Sequence, residues 1–179
     1  FNAEQNALIA RNAERYYRTM IRGGPASWNL RDRHMVETLN RLMRQHGPDS
    51  KAIIWEHNTH IGDARYTDMA SEGMLNVGQL VREEHGERPD DGDGVVLVGF
   101  GTHGGSVIAA GEWGAQMQRM RIPIAREGSW EDLLHEAVGG DGMFVFDGTD
   151  HGGIPGLDAA MHHRWIRGLY HPRADQWRN

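Results

Sequence analysis

The stretch Trp55-Glu56-His57-Asn58-Thr59-His60 carries the densest set of side chains able to do chemistry. Its two imidazoles lie three residues apart, and the carboxylates of Glu56 and Asp63 lie nearby in sequence. A histidine exchanges protons near neutral pH, and a neighbouring carboxylate would fix its tautomer. His57, His60 and Asp63 would alternatively serve as ligands of a divalent metal. A third interpretation is a polar loop whose histidines cap strand ends.

Two other groups of polar residues are candidates for the same site. Arg31-Asp32-Arg33-His34 opens a predicted helix, where Asp32 suits the positive helix end. Its two arginines point either to solvent or into a pocket, where they would hold a carboxylate. His103 lies in the glycine-rich turn 99–106, which lacks the lysine and the spacing of a phosphate loop. We predict that this turn presents His103 to a shared pocket. Residues 147–153 are typical turn formers, and we interpret them as a structural turn.

Predicted helices and strands alternate along the chain and must position these groups. Apolar residues at spacings of three and four predict helices over 3–22, 31–45, 69–84 and 129–138. Short apolar runs bounded by turn residues predict strands over 52–55, 95–100, 106–110, 117–124, 143–146 and 166–170. The alternation predicts an α/β protein with a largely parallel central sheet flanked by helices, preceded by an N-terminal helix pair. Polar clusters after strands then gather at one sheet edge.

Composition narrows the classes of function. A chain of 179 residues suits a single domain spanning 1–179, and a net charge of −6 disfavours a nucleic-acid partner. The absence of cysteine excludes disulfides and thiolate metal sites. No apolar run approaches the roughly 18 residues that cross a membrane, so we expect no membrane partner and a cytoplasmic location. The absence of an initiator Met suggests a fragment of a longer protein.

Five stretches, in this order, resemble the erythromycin esterase family: residues 12–17, 27–35, 55–60, 98–103 and 129–134. The family is known for hydrolysing the macrolactone ester of erythromycin-like antibiotics, which confers resistance. The resemblance implies an α/β fold and a cleft in which His and Glu side chains activate water without an obligatory metal or other cofactor. The two histidines of its His-Asn-x-His motif correspond to His57 and His60, and Arg31 and Asp32 match a motif expected near the cleft.

One departure from the family shapes the functional prediction. Family members carry an upstream Gly-Glu-x-x-His-Gly motif that supplies a general base, and this chain has no equivalent. We therefore expect the C-terminal portion of a larger domain, with an upstream half of the same polypeptide as a partner. The leading hypothesis is hydrolysis of a small-molecule ester; the alternatives are a metal-dependent hydrolase and a non-catalytic domain that binds a ligand or a partner. The predicted catalytic residues are His57, His60 and Glu56, and the predicted substrate-binding residues are Arg31, Asp32, Asn58 and His103.

Overall fold

The computed structural model describes residues 1–86, 94–112, 114–146 and 163–164, together with the backbone of 177–178. The chain divides into two compact units, Phe1–Gly99 and Phe100–Asn179. The single domain expected from chain length stays a prediction. The predicted turn at 147–153 and the predicted strand at 166–170 lie outside the described residues.

The first unit begins with the predicted helix pair, which is confirmed. Helix α1 spans Asn2–Met20 and helix α2 spans Ala26–His46. Their facing sides are joined by polar contacts, among them Asn12 Nδ2 to His34 Nδ1 at 2.7 Å. The helix predicted over 31–45 begins earlier than expected, because α2 starts directly after Pro25 and includes residues 26–30, which the sequence placed between the two helices. Proline suits a helix start, since its ring presets φ and the first backbone N–H groups have no partner within the helix.

Four short helical segments follow the helix pair. They are α3 (Asn58–Ile61), a 3₁₀ turn (Ala64–Tyr66), α4 (Asp68–Ser71) and α5 (Val77–His85). The helix predicted over 69–84 is therefore split. Gly73 adopts a left-handed φ of 69° between the two pieces, and Asn76 starts α5 by accepting a hydrogen bond from Gln79 N at 2.9 Å. The core of the unit is formed by Val36, Leu75, Val77, Leu80 and Val81.

A close backbone contact fixes α3 against α5. A Cβ atom at Gly78 would overlap the carbonyl oxygens of Gly62 and Ile61. Real Cβ atoms do not approach backbone oxygens so closely, so only glycine fits at this position. The start of α5 thereby supports the end of α3, the segment that carries His60.

The second unit contains a hairpin and a capped helix. Strands β1 (Gly105–Ala109) and β2 (Gln118–Ile122) pair antiparallel, with Gly105 opposite Ile122. Helix α6 (Trp130–Val138) begins as predicted, with Ser129 Oγ accepting the Asp132 N–H at 3.3 Å. A two-residue pair, β3 (His163–Arg164) and β4 (Trp177–Arg178), is also antiparallel.

The predicted α/β class with a largely parallel central sheet is wrong. About half of the described residues are helical, and the sheets in this part of the chain are two antiparallel pairs. The runs 52–55, 95–100 and 143–146 form no strand in the described chain. Ile53 is 94% exposed and Val96 is 85% exposed, whereas the adjacent Ile54 and Val95 pack on the core. A continuous apolar run indicates burial on both faces only when neighbouring strands flank it.

The strands predicted over 106–110 and 117–124 are confirmed as β1 and β2, although they pair antiparallel. In the described part of the chain, no helix combines the length and apolar character that crossing a membrane requires.

Candidate active site

A buried carboxylate orients one of the two predicted histidines. Asp32 Oδ2 lies 2.9 Å from His60 Nδ1, and the Asp32 side chain is fully buried. Asp32 comes from the second turn of α2 and His60 from α3, so the contact joins two elements 28 residues apart. A carboxylate accepts hydrogen bonds, so this contact places the imidazole hydrogen on Nδ1.

The other ring nitrogen of His60 faces an arginine. Arg31 Nη2 lies 3.2 Å from His60 Nε2. Because a guanidinium only donates hydrogen bonds, Nε2 accepts through its lone pair. With these two partners, the neutral form of His60 carries its hydrogen on Nδ1 and its lone pair on Nε2. This is the tautomer that a general base requires.

Trp28 supports the ring of His60. The two rings stack with centroids 4.5 Å apart and an interplanar angle of 6°. The indole Nε1 donates to the carbonyl oxygen of Leu75 at 2.7 Å, which anchors the tryptophan to the segment before α5. The guanidinium carbon of Arg31 lies 4.6 Å from the Trp28 ring centroid, a cation–π distance. His60 and Arg31 are therefore positioned by the same aromatic side chain.

Glu56 provides a second carboxylate beside His60. Its Oε2 lies 3.9 Å from His60 Nδ1 and is buried without a hydrogen-bond partner in the described chain. Burial raises the pKa of the Glu56 carboxyl above its ordinary value, with Asp32 adding to the rise and His60 and Arg31 opposing it. A negative charge at this distance stabilises a positive charge on the imidazole.

His57 and Asn58 lie at the start of α3. The His57 ring is the N-cap of this helix, since its Nδ1 accepts the backbone N–H of Thr59 at 3.2 Å. A neutral His57 therefore carries its hydrogen on Nε2, where it is a donor. The side chain is exposed, whereas Asn58 is half-buried. The structure thus gives His57 a capping contact and gives His60 the carboxylate and arginine partners.

Asp63 is engaged by arginines. Its two oxygens accept from Arg65 Nε at 2.9 Å and Arg65 Nη2 at 2.7 Å, and Arg82 Nη1 lies 3.4 Å away. The side-chain hydrogen bonds from Arg65 contribute most to lowering the pKa of Asp63 below its ordinary value. Among the described residues, no group of three His, Asp or Glu side chains is arranged to hold a metal ion. The structure does not bring His57, His60 and Asp63 together as a ligand set.

His103 belongs to the second unit and contacts a different histidine. Its ring stacks on His135 of α6 with centroids 3.8 Å apart. Its Nδ1 and the Oε2 of Glu131 are buried without hydrogen-bond partners in the described residues. Arg164, which is 6% exposed, donates to the carbonyl oxygens of Thr102 and His103 and so fixes this turn. A substrate-binding role for His103 stays a prediction.

The comparison with known families covers the whole length of the chain. The erythromycin esterase family model matches residues 1–179. The chain belongs to the erythromycin esterase family. Membership confirms the resemblance and supports a function of the hydrolase type. No solved structure matches this erythromycin esterase family chain, and the upstream partner half stays a prediction.

Trp28 is the residue of this erythromycin esterase family site that sequence reasoning missed. It lies three residues before Arg31 and four before Asp32, a spacing that places all three on one helix face. The predicted helix began at residue 31, so Trp28 lay outside it and could not be assigned to the same helix face as Arg31 and Asp32. A helix start at Pro25 is the signal that would have identified it.

Proposed function

We propose that this chain hydrolyses a carboxylic ester, with His60 as the general base and Asp32 as the carboxylate that orients it. The observation that supports the proposal is the 2.9 Å contact between Asp32 Oδ2 and His60 Nδ1. A buried carboxylate behind an imidazole is the arrangement by which hydrolases fix the tautomer of a base and stabilise the imidazolium that forms.

The proposed reaction begins when His60 Nε2 removes a proton from water. The water oxygen bonds to the ester carbonyl carbon, and the bond from that carbon to the alcohol oxygen then breaks. The proton held by His60 passes to the leaving alkoxide, which restores the neutral imidazole. The products are a carboxylic acid and an alcohol, and no cofactor is consumed.

Two neighbouring groups complete the proposed mechanism. Glu56, 3.9 Å from the His60 ring, stabilises the imidazolium. His57 carries a donor on Nε2, which suits it to stabilise the developing negative charge on the carbonyl oxygen. Asn58 stays a candidate for substrate binding.

Turnover of a simple aryl ester tests this proposal directly. We expect the hydrolysis of 4-nitrophenyl butyrate by the wild type to exceed that by His60→Ala at least about tenfold, because the base is lost. His46→Ala, which removes an exposed histidine at the end of α2, is the matched control. Near-normal turnover by His60→Ala would show that His60 is not the general base. An inactive wild type would favour a non-catalytic binding domain.

The macrolactone of a macrolide antibiotic is the natural ester to test next, because it is the ester for which the family is named. Macrolide resistance and a cytoplasmic location belong to the same proposal. Resistance is tested by the growth of cells expressing the wild type or His60→Ala at increasing macrolide concentration. Equal growth of the two would argue against this substrate.

A further inference from the structure

The lone pair that makes His60 a base is covered in this structure. Arg31 Nη2 donates to His60 Nε2 at 3.2 Å, so the nitrogen that must take a proton from water already has a partner. If Nε2 gained a proton with Arg31 in place, two N–H groups would face each other. The arginine must therefore leave this position before His60 acts as a base.

Arg31 is placed where a ligand would reach it. Its side chain is 40% exposed, whereas that of His60 is 16% exposed and that of Asp32 is fully buried. Its other contacts are loose: Nε lies 3.8 Å from Asp32 Oδ1, and the guanidinium carbon lies 4.6 Å from the Trp28 ring centroid. Within the described part of the chain, Arg31 has no bidentate partner. Its remaining N–H groups are able to bind an incoming acceptor.

We propose that Arg31 gates the base and that a carboxylate carried by the substrate opens the gate. This inference rests on the proposed function and narrows its substrate to an ester that bears an anionic group near the scissile bond. A carboxylate accepts two parallel N–H bonds from a guanidinium, and these charge-assisted bonds are stronger than one bond to a neutral imidazole nitrogen. The substrate charge therefore draws Arg31 away and frees His60 Nε2 at the moment of binding.

An ester without a negative charge opens the gate poorly. A neutral carbonyl offers Arg31 a weaker acceptor than a carboxylate. The uncovered state of His60 is then rarely populated, and the apparent rate falls by that fraction. The inference thus favours a carboxylate-bearing ester over an uncharged macrolactone.

Chemical modification of His60 tests the gate without relying on turnover. Diethyl pyrocarbonate acylates an imidazole nitrogen through its free lone pair, and mass spectrometry of peptides reads each histidine separately. We expect His60 to react roughly tenfold faster in Arg31→Met than in the wild type, because the covering hydrogen bond is lost. Adding adipic acid monoamide, a carboxylate that is not an ester, accelerates the reaction in the wild type, whereas the uncharged adipamide does not.

Two controls make the modification result decisive. Arg33→Met removes a neighbouring arginine of α2 that lines a separate groove of about 380 Å³, and it leaves the reactivity of His60 unchanged. His34, whose side chain is 23% exposed, reports any loosening of α2 and reacts at the same rate in all variants. Equal reactivity of His60 in the wild type and Arg31→Met overturns the gate. Arg31→Gln provides a second variant if Arg31→Met does not fold.

A matched pair of esters tests the substrate class. We expect the wild type to hydrolyse 4-nitrophenyl hydrogen adipate with a kcat/KM roughly tenfold higher than that for the methyl ester of the same compound. Arg31→Met loses this preference, because the anionic ester is hydrolysed more slowly and the methyl ester faster. An equal loss of kcat/KM on both esters in Arg31→Met would show that Arg31 is a hydrogen-bond donor for any ester, and it would overturn the inference. If His60→Ala hydrolyses both esters normally, the proposed function fails, while the modification experiment still decides the gate.

Discussion

Asp32 accepts the Nδ1 hydrogen of His60 at 2.9 Å from a position in α2 that has no solvent exposure. Removing a carboxylate from water is unfavourable, so a buried carboxylate is stable only where hydrogen bonds or opposite charges offset the loss of hydration. Here the other oxygen, Oδ1, has no hydrogen-bond partner in the described chain. Asp32 is therefore poorly explained as a stabilising residue and well explained as one that orients His60.

Glu56 is predicted to lower stability at neutral pH. Burial raises its folded-state pKa above the ordinary value, so between the two values the folded protein binds more protons than the unfolded chain. Stability then falls as pH rises through this window, and the penalty is complete above the folded-state pKa. We expect Glu56→Gln to be more stable than the wild type in urea unfolding at pH 7.5, and the gain to vanish at pH 4.

The control for Glu56 is Glu127→Gln, which changes an exposed carboxylate. It should leave the free energy of unfolding unchanged at both pH values. A Glu56→Gln variant that is less stable at pH 7.5 would show that the carboxylate has stabilising partners.

His57 is predicted to have two separable roles. Asparagine is a good N-cap, so His57→Asn keeps the cap on Thr59 N while removing the Nε2 donor. His57→Ala loses both. We expect both variants to lower kcat roughly tenfold, but only His57→Ala to lower the melting temperature. Normal turnover by His57→Asn would restrict His57 to capping.

Asp63 is predicted to stabilise the fold and to take no part in metal binding. Its folded-state pKa is lowered, so its contribution is complete above the unfolded value of 3.8 and is lost as pH falls through the folded value. Asp63→Asn should lower the free energy of unfolding at pH 7 through the lost bonds to Arg65, and solvent at the exposed arginines limits the loss. The difference should shrink at pH 3.

Hydrolysis by Asp63→Asn separates this account from a metal-dependent one. We expect the variant to retain activity at temperatures where it is folded and the wild type to be insensitive to chelators. Loss of hydrolysis on chelation, with recovery on adding zinc, would support the metal-dependent alternative.

Gly78 is predicted to control the position of His60 from a distance. A methyl group at this position would meet the carbonyl oxygens of Ile61 and Gly62, so Gly78→Ala must displace the end of α3. We expect lower stability together with a lower kcat on an aryl ester. Gly99→Ala is the control, since no atom lies within 4 Å of its added Cβ. A fully active Gly78→Ala variant would show that α3 adjusts without moving His60.

The longer helices α1, α2, α5 and α6 and one of the two strand pairs could be predicted from local sequence signals, whereas the short helix α3 that carries His60 was not predicted. Ser129 and Asp132 mark the start of α6, and glycines near the ends of α1 and α2 mark where those helices stop. The sheet could not be predicted, because strand pairing depends on distant partners that an apolar run does not specify. Ile53 and Val96 have the side chains of buried strands but remain exposed.

The candidate site was partly predictable for a related reason. His60, Glu56 and Asp32 were chosen for their side-chain chemistry, and the structure brings them together. Trp28 was missed because its contribution is geometric, through a stacked ring and a hydrogen bond to Leu75. His103 was assigned to a shared pocket from the predicted sheet; its described contacts are with His135 and Arg164, and its role in substrate binding stays a prediction.

A double-mutant cycle on Asp32 and His60 tests the central claim most directly. We expect Asp32→Asn and His60→Gln each to lower kcat/KM on an aryl ester at least about tenfold, and the double variant to be no slower than His60→Gln, because groups that act as one unit are not additive. Asp49→Asn, an exposed aspartate after α2, is the control. Losses that multiply in the double variant would contradict the claim that Asp32 acts through His60.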